Sequence, residues 1–302
     1  MTPAGTDALA VARCSRCRVR EAVYLRASSG EALCLRCLWD EVLALASRAL
    51  SRVTPSPTSR FLVPISSFAP SASLVAAAAL SVIERRFRSS VIVGLPSFYD
   101  PEVAGPLSGR HNLEVQVFEV TPGPPEQAEL ISCIRYDRAW ALRAAESVGA
   151  DVIVLSLTRT DLTMALLEAL LSGPTEGVFD GQPSYIVRGV KVVNLFYLVE
   201  REAMAALEYL EGYHVEPACW PRVVTKGVMM SIAGAPERDY GAVSLSVELT
   251  SLLKASGTCV ACGAPSKGAL CGPCQSMGLN QLSVGPSRRG LGGLPASLKE
   301  GP

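Results

Sequence analysis

The sequence predicts an α/β fold in which helices cover both faces of a parallel β-sheet, with a zinc module at each end of the chain. Between residues 60 and 227, short apolar runs alternate with stretches of helical periodicity, as they do in strand–helix–strand units. Paired C-x-x-C motifs stand before and after this region, and such pairs are typical of zinc-binding turns. Together the two patterns predict a sheet domain flanked by N- and C-terminal zinc modules.

The central region contains the predicted strands and helices in alternation. The predicted strands are residues 61–65, 91–95, 113–120, 152–157 and a further run at 190–198. The predicted helices are residues 71–88, 136–148, 161–171 and 199–210. Since sheets of this kind bind ligands beyond the carboxyl ends of their strands, the predicted site lies in the loops after Ile65, Leu95 and Leu157.

Eight of the ten cysteines form four C-x-x-C pairs, which predict two zinc sites. Two residues between thiolates let one tight turn direct both sulfurs at a single ion, and two such turns complete a tetrahedron. The predicted ligands are Cys14, Cys17, Cys34 and Cys37 in one site and Cys259, Cys262, Cys271 and Cys274 in the other. The alternative interpretation, a set of disulfides, needs an oxidising compartment.

The composition excludes a disordered chain and a polybasic binder. Apolar residues make up 49% of the chain and charged residues 19%, which supplies a large core. The 28 basic residues are balanced by 28 acidic residues, so any nucleic-acid contact depends on local patches of arginine. The candidate patches are residues 13–20, residues 85–88, and the pair Arg135 and Arg138.

The sequence predicts neither a signal peptide nor a membrane span. Residues 1–10 lack the basic-then-apolar order of a signal peptide. The longest uncharged run, 61–83, is interrupted by Pro64 and Pro70, and its unbroken apolar part, 74–80, is shorter than the about 20 residues that a span needs. We therefore expect a soluble cytoplasmic protein with no membrane partner, and we place residues 74–80 in the core or at an interface.

The predicted organisation has four parts. They are an N-terminal zinc module with a helix at 38–50 (residues 1–57), the α/β domain (58–250), a C-terminal zinc ribbon (251–282) and a tail (283–302). Because the tail is rich in Gly, Pro and Ser, we expect it to be disordered.

The order of these parts and the motifs of the ribbon resemble the cytoplasmic tRNA 2-thiolation proteins of the PP-loop ATP pyrophosphatase superfamily. That family ends in a similar C-x-x-C-G, C-x-x-C and G-L-N series, which here reads Cys259-Val-Ala-Cys262-Gly263, Cys271-Gly-Pro-Cys274 and Gly278-Leu279-Asn280. Its E-K-E, C and G stretch is similar to Glu200-Arg201-Glu202, Cys219 and Gly227. The resemblance implies a Rossmann-like nucleotide hydrolase fold, tRNA as a partner, and a homodimer or a catalytic PP-loop paralogue. A ubiquitin-like sulfur carrier is a further implied partner.

The chain departs from the family at both nucleotide-contacting loops. The family binds ATP with S-G-G-x-D-S after the first strand, but residues 66–71 read SSFAPS, so that both glycines are missing. The family's later G-H-N-x-D-D loop corresponds to residues 156–161, which keep only the final acid. The resemblance therefore leaves Ser66, Ser67, Ser71 and Asp161 as remnants of the nucleotide site, and it argues against binding of ATP and Mg²⁺.

The family's sulfur chemistry is only partly matched. By position, Leu130 replaces the first cysteine of a C-x-x-C that relatives place before a helix, Cys133 matches the second, and Cys219 matches a third. Three such cysteines hold an iron–sulfur cluster in several relatives, and with two thiolates we do not expect one here. A two-cysteine persulfide or disulfide mechanism stays open, with Arg135 and Arg138 activating Cys133 as a thiolate. So does the interpretation of two ordinary core cysteines.

Three functions remain. The favoured hypothesis is a tRNA-binding, catalytically degenerate subunit of a 2-thiouridine-forming complex, because two separate loops have lost their nucleotide chemistry. The first alternative is an active ATP-dependent tRNA sulfurtransferase that uses Cys133 and Cys219. The second is a zinc-stabilised scaffold that binds another nucleic acid or protein.

Overall fold

The computed structural model describes residues 12–111, 113–172, 175–222, 236–252 and 257–287. A seven-stranded sheet lies at the centre of the molecule. Its strands are β3 (Arg60–Pro64), β4 (Ser90–Pro96), β5 (Glu114–Thr121), β7 (Val152–Thr158), β8 (Ser184–Val187), β9 (Val190–Phe196) and β13 (Ser283–Pro286). They run in the order β13-β5-β4-β3-β7-β9-β8. The five inner strands are parallel, and β8 and β13 are antiparallel edge strands, so the predicted α/β class with a parallel sheet is confirmed.

Short strand pairs accompany this sheet. They are β1 (Tyr24–Leu25) with β2 (Ala32–Leu33), β6 (Gln127–Ala128) with β10 (Trp220–Pro221), and β11 (Gly257–Thr258) with β12 (Pro265–Ser266). The α-helices are α1 (Leu35–Leu50), α2 (Pro70–Ile83), α3 (Gly105–His111), α4 (Leu130–Val148), α5 (Arg159–Ser172), α6 (Arg201–Glu211), α7 (Pro236–Leu252) and α8 (Gly272–Ser276).

Helices cover both faces of the sheet. One buried apolar cluster joins α1, α2, α3 and α6 to one face, together with the N-terminal cysteine module. A second cluster joins α4, α5 and α7 to the other face, together with the C-terminal cysteine module. Residues 74–80 of α2 are all buried, so they belong to the core between α2 and the sheet. The boundaries drawn near residues 57 and 250 stay predictions.

Helix α4 is longer than its predicted range of 136–148, and it begins at Leu130. The Glu168 carboxylate of α5 accepts hydrogen bonds from Leu130 N at 3.1 Å and Ile131 N at 2.7 Å. These two amides are among the donors that a helix N-terminus leaves unpaired, so Glu168 caps α4 from a distant part of the chain. Cys133 therefore lies inside the first turn of α4, and the predicted position before the helix was wrong.

The chain after the ribbon also differs from its prediction. The composition predicts a disordered tail from residue 283, but residues 283–286 form β13, which pairs with β5 from Ser283 opposite Thr121 to Pro286 opposite Phe118. Backbone hydrogen bonds to the neighbouring strand can hold an edge strand in place with little side-chain burial. The polar, Gly- and Pro-containing composition of this segment therefore gave no sign of a strand. The rest of the tail, 288–302, lies outside the described residues.

Among the described residues, no helix combines the length and the apolar composition that a membrane-spanning segment requires.

Candidate nucleotide loop, thiol pair and metal centres

The two predicted metal sites are both assembled. In each set of four cysteines, all sulfur atoms lie within 4.8 Å of one another. The Cys17 and Cys34 sulfurs are 3.8 Å apart, and the Cys262 and Cys271 sulfurs are 3.7 Å apart. A tetrahedral zinc ion with Zn–S bonds of about 2.3 Å places its sulfurs about 3.8 Å apart. The residues of each cluster thus fit a single four-coordinate ion, which would supply a closed structural centre.

Three of the four cysteines of the N-terminal cluster are buried, and Cys17 is partly exposed. The arginines of the 13–20 patch are partly used by the protein itself: Arg16 pairs with Glu41 at 2.6 Å, and Arg13 donates to Val19 O at 2.9 Å. Arg26 also pairs with Glu31 at 2.6 Å. The patch therefore offers fewer free cations than the sequence suggests.

The C-terminal cluster is buried against α4. Arg138 donates from Nε to the carbonyl oxygen of Cys262 at 2.7 Å. Arg135 and Arg138 each form an ion pair with Asp180 at 2.8 Å. Four thiolates around one Zn²⁺ carry a net charge of about −2, so two buried guanidinium groups beside them offset a charge that would otherwise be unpaired. The predictions that this arginine pair contacts phosphate or activates Cys133 were wrong, because both side chains are buried and bound to Asp180.

The loop between β3 and α2, residues 65–69, uses its backbone donors internally. Ser66 N donates to Ser73 Oγ at 3.0 Å, and Ser67 N donates to the Asp137 carboxylate at 2.9 Å. The amides of Phe68 and Ala69 both donate to Ser66 Oγ, at 3.2 and 3.0 Å. The next residue is proline, which has no N–H. The four amides that would face a phosphate group in an open loop all have acceptors within the protein.

Little space remains beside this loop. The cavity lined by Ser66, Phe68, Asp137 and Leu155 has a volume of about 10 Å³. A cavity needs roughly 10–15 Å³ of space for the centre of a water molecule in order to hold one water. The side chain of Phe68 is half-buried and packs against the core, so it takes up part of the space that a nucleotide would need.

Asp137 is the site residue that the sequence analysis missed. Its side chain is 3% exposed and also accepts a hydrogen bond from Ser66 Oγ at 2.6 Å. Burial raises the pKa of Asp137 to about 6, although the hydrogen bonds from Ser66 and Ser67 lower it. The available signal was its spacing: Asp137 lies four residues after Cys133, so both occupy one face of α4.

The other remnants of the nucleotide site have structural partners. Thr158 and Asp161 cap α5 reciprocally: the Thr158 amide donates to Asp161 at 2.9 Å, and the Asp161 amide donates to Thr158 Oγ1 at 3.3 Å. Asp161 also pairs with Arg201. The Ser71 hydroxyl accepts from Val215 N at 3.1 Å.

The structure brings Cys133 and Cys219 together and joins them in a disulfide. Both residues are buried, and Cys219 N donates to Ser67 O at 2.9 Å. The hydroxyl of Tyr99 donates to the same carbonyl at 3.1 Å. The thiol pair is therefore attached directly to the loop after β3.

No protein-family model and no curated protein matches the sequence. Among solved structures, the chain is similar to the U34-tRNA thiolase NcsA from Methanococcus maripaludis with its [4Fe-4S] cluster. The TM-score is 0.67 at 18% identity, over 89% of this chain and 96% of that one. Our expectation against an iron–sulfur cluster is contradicted by this neighbour, which has a [4Fe-4S] cluster. The chain has the α/β fold of that U34-tRNA thiolase.

Proposed function

We propose that this chain is a tRNA-binding subunit of a 2-thiouridine-forming complex, that it works in the cytoplasm, and that it does not activate the uridine with its own ATP. An intact PP-loop paralogue would supply that step. The shared fold with a tRNA thiolase supports the choice of pathway and substrate. The main support for the absence of ATP activation is the closed loop after β3, in which each amide from Ser66 to Ala69 donates to an acceptor within the protein.

A basic surface with an exposed ring supports RNA binding. Arg85, Arg86 and Arg88 are exposed, and none has an ion pair with a residue that the structure describes. Phe87 lies among them with 53% of its surface exposed. Arginines attract phosphates, and an exposed aromatic ring can stack on an unpaired base. This segment directly precedes β4, so it lies at the amino ends of the parallel strands, whereas the loop after β3 lies at their carboxyl ends. Binding of tRNA at this surface therefore does not require a nucleotide in that loop.

The test is calorimetry with ATP and Mg²⁺, with and without tRNA, alongside a gel shift with tRNA at low salt. We expect no heat from ATP and a clear shift with tRNA. The variant Arg86→Glu should weaken tRNA binding, and Arg36→Glu, which changes an exposed arginine on α1, is the matched control. ATP binding by the wild-type protein would rule out the degenerate subunit.

Partner binding is tested separately by co-purification with an intact PP-loop paralogue. A complex of defined stoichiometry is expected, whereas the chain alone should form no thiouridine. A homodimer and a ubiquitin-like sulfur carrier are the other candidate partners. The preparation should be analysed for zinc, iron and acid-labile sulfide, since the structural neighbour has a [4Fe-4S] cluster.

The adjacent thiols favour one second candidate, an active sulfurtransferase. Cys133 and Cys219 bond to each other and lie against the nucleotide-type loop. In this function, a sulfur donor forms a persulfide on one cysteine, and the outer sulfur attacks C2 of an adenylated uridine and displaces AMP. The other thiolate then attacks the cysteine sulfur, which releases the thiolated uridine and leaves the Cys133–Cys219 disulfide for an external thiol to reduce. Replacement of Cys133 by serine should then abolish thiolation in a reaction that contains the chain, tRNA, ATP, a sulfur donor and a thiol reductant. Thiolation that does not change in this variant removes the second candidate.

A further inference from the structure

The loop after β3 already holds an anion, and that anion belongs to the protein. Asp137 accepts one hydrogen bond from Ser66 Oγ at 2.6 Å. Its two carboxylate oxygens share the Ser67 amide at 2.9 and 3.0 Å. Backbone amides and hydroxyls at the start of a helix are the groups that bind phosphate in other proteins. Asp137 thus occupies one amide and one hydroxyl of the loop that an external oxoanion would use.

We propose that Asp137 is a built-in anion that fills the oxoanion position of the loop 65–69, holds the loop in shape without a ligand, and keeps phosphate groups out. The proposal rests on the proposed function only in taking this loop as a degenerate nucleotide loop. It assigns the loss of nucleotide binding to one residue of α4, outside the loop itself.

Charge and burial support this role. With a pKa of about 6, the Asp137 side chain is ionised at neutral pH. A phosphate group placed beside a buried carboxylate meets a like charge in a region of low dielectric, which opposes binding. Tyr99 also lies close, because its hydroxyl donates to Ser66 O at 3.0 Å, and its own pKa is raised by burial and then by the Asp137 charge. The Asp137 carboxylate is therefore a negative charge that the fold holds in place beside the loop.

The opposite end of β3 supplies a matched control. There, Asp151 accepts hydrogen bonds from Ser59 Oγ at 3.0 Å and from Arg60 N at 2.7 Å. As at Asp137, the donors are a serine hydroxyl and the backbone amide of the next residue. Asp151 is exposed, whereas Asp137 is buried. Water can reach the exposed Arg60 amide when the Asp151 carboxylate is removed, but at Asp137 both donors are buried and would be left unpaired.

The experiment compares Asp137→Gly, Asp151→Gly and the wild-type protein by thermal unfolding. Each is measured in sodium chloride, sodium formate and inorganic phosphate at equal ionic strength. We expect Asp137→Gly to lower Tm by ~5–10 °C, and formate or phosphate to raise its Tm by ~3 °C or more as the anion enters the vacated position. Wild-type protein and Asp151→Gly should respond to the anion by less than ~1 °C. Equal responses in all three proteins, or none in Asp137→Gly, would overturn the proposal.

A measurement on the wild-type protein covers the case in which Asp137→Gly does not fold. Hydrogen exchange of the Ser67 and Phe68 amides, followed by NMR, should be slow without any added anion and unchanged by inorganic pyrophosphate. Slower exchange with pyrophosphate would show that the loop accepts an external anion and that the built-in anion does not exclude it.

The outcomes separate this inference from the proposed function. If the wild-type protein binds ATP, both are wrong. If it does not bind ATP and Asp137→Gly shows no anion rescue, the degenerate subunit stands, and Phe68 and the closed cavity exclude the nucleotide in place of Asp137.

Discussion

The two cysteine modules use the same paired motif but are embedded differently. In the N-terminal module, Cys17 is only half-buried, and the nearby Arg16 side chain is 43% exposed where it pairs with Glu41. In the C-terminal module all four cysteines are buried, and the Arg138 side chain, with 0% exposed, donates to Cys262 O. Arg138 lies against the rings of Phe179 and Tyr185.

The difference separates a module with one partly exposed cysteine and an exposed arginine pair from a module whose cysteines and arginine are all buried. Both clusters can hold an ion, but only the C-terminal one contributes a backbone acceptor to the buried charge network of α4. Loss of the N-terminal metal should therefore stay local, whereas loss of the C-terminal metal should affect the central helix and the residues Cys133 and Asp137 on it.

The largest expected effect is the loss of each metal. Cys17→Ser and Cys262→Ser should each remove one metal equivalent per chain, measured by elemental analysis. Structural zinc contributes about 10–16 kcal/mol of binding energy that is linked to folding, and a buried site transmits more of it to the core. We expect Cys262→Ser to lower the free energy of unfolding in urea by at least ~4 kcal/mol more than Cys17→Ser does. Equal losses would mean that the two modules are equally integrated.

The next effect concerns the arginine beside each module. Arg138→Ala leaves Asp180 with a reduced set of partners in a buried position, and breaking a buried pair costs about 3–5 kcal/mol. Arg16→Ala breaks an exposed pair, which contributes about 0–1 kcal/mol. Chemical denaturation of the two variants measures the contrast. The comparison would be wrong if Arg138→Ala unfolded at the same urea concentration as Arg16→Ala.

A smaller effect comes from one glycine in each module. Gly30 and Gly263 both have φ +71°, so an alanine at either position has the same backbone strain, about 1–2 kcal/mol. A Cβ at Gly30 would have no atom within 4 Å, whereas a Cβ at Gly263 would overlap Val187 Cγ1 and lie 2.9 Å from Cγ2. Gly263→Ala should therefore cost a further ~1–3 kcal/mol, seen as a lower Tm than that of Gly30→Ala.

The smallest effect is the response to salt. Ions screen the exposed Arg16–Glu41 pair, since the Debye length falls to about 3 Å at 1 M salt, but they reach the buried Arg138–Asp180 pair much less. The stability lost in Arg16→Ala should shrink toward zero between low salt and about 1 M salt, and the loss in Arg138→Ala should persist. Parallel salt dependence in both variants would contradict the contrast between an exposed and a buried arginine pair.

Features carried by local patterns could be predicted from the sequence. The strands β3, β4 and β7 follow from continuous apolar runs, and both cysteine clusters follow from the spacing of their pairs. Features that depend on distant partners could not. Arg135 and Arg138 looked like a phosphate-binding pair because Asp180 lies more than 40 residues away, and the contact between Asp137 and Ser66 spans 71 residues. The early start of α4 has the same cause, because its cap comes from Glu168.

Strand β13 also affects the order in which the chain can complete its sheet during synthesis. Its partner β5 ends at Thr121, but residues 283–286 leave the ribosome only after the ribbon has been made. Until then the outer backbone amides and carbonyls of β5 are open to pairing with other chains, which is a known route to aggregation. A chain that stops before residue 283 would keep this edge open permanently. Pairing of β13 with β5 therefore covers this edge of the sheet only after the C-terminal cysteine module has been synthesised.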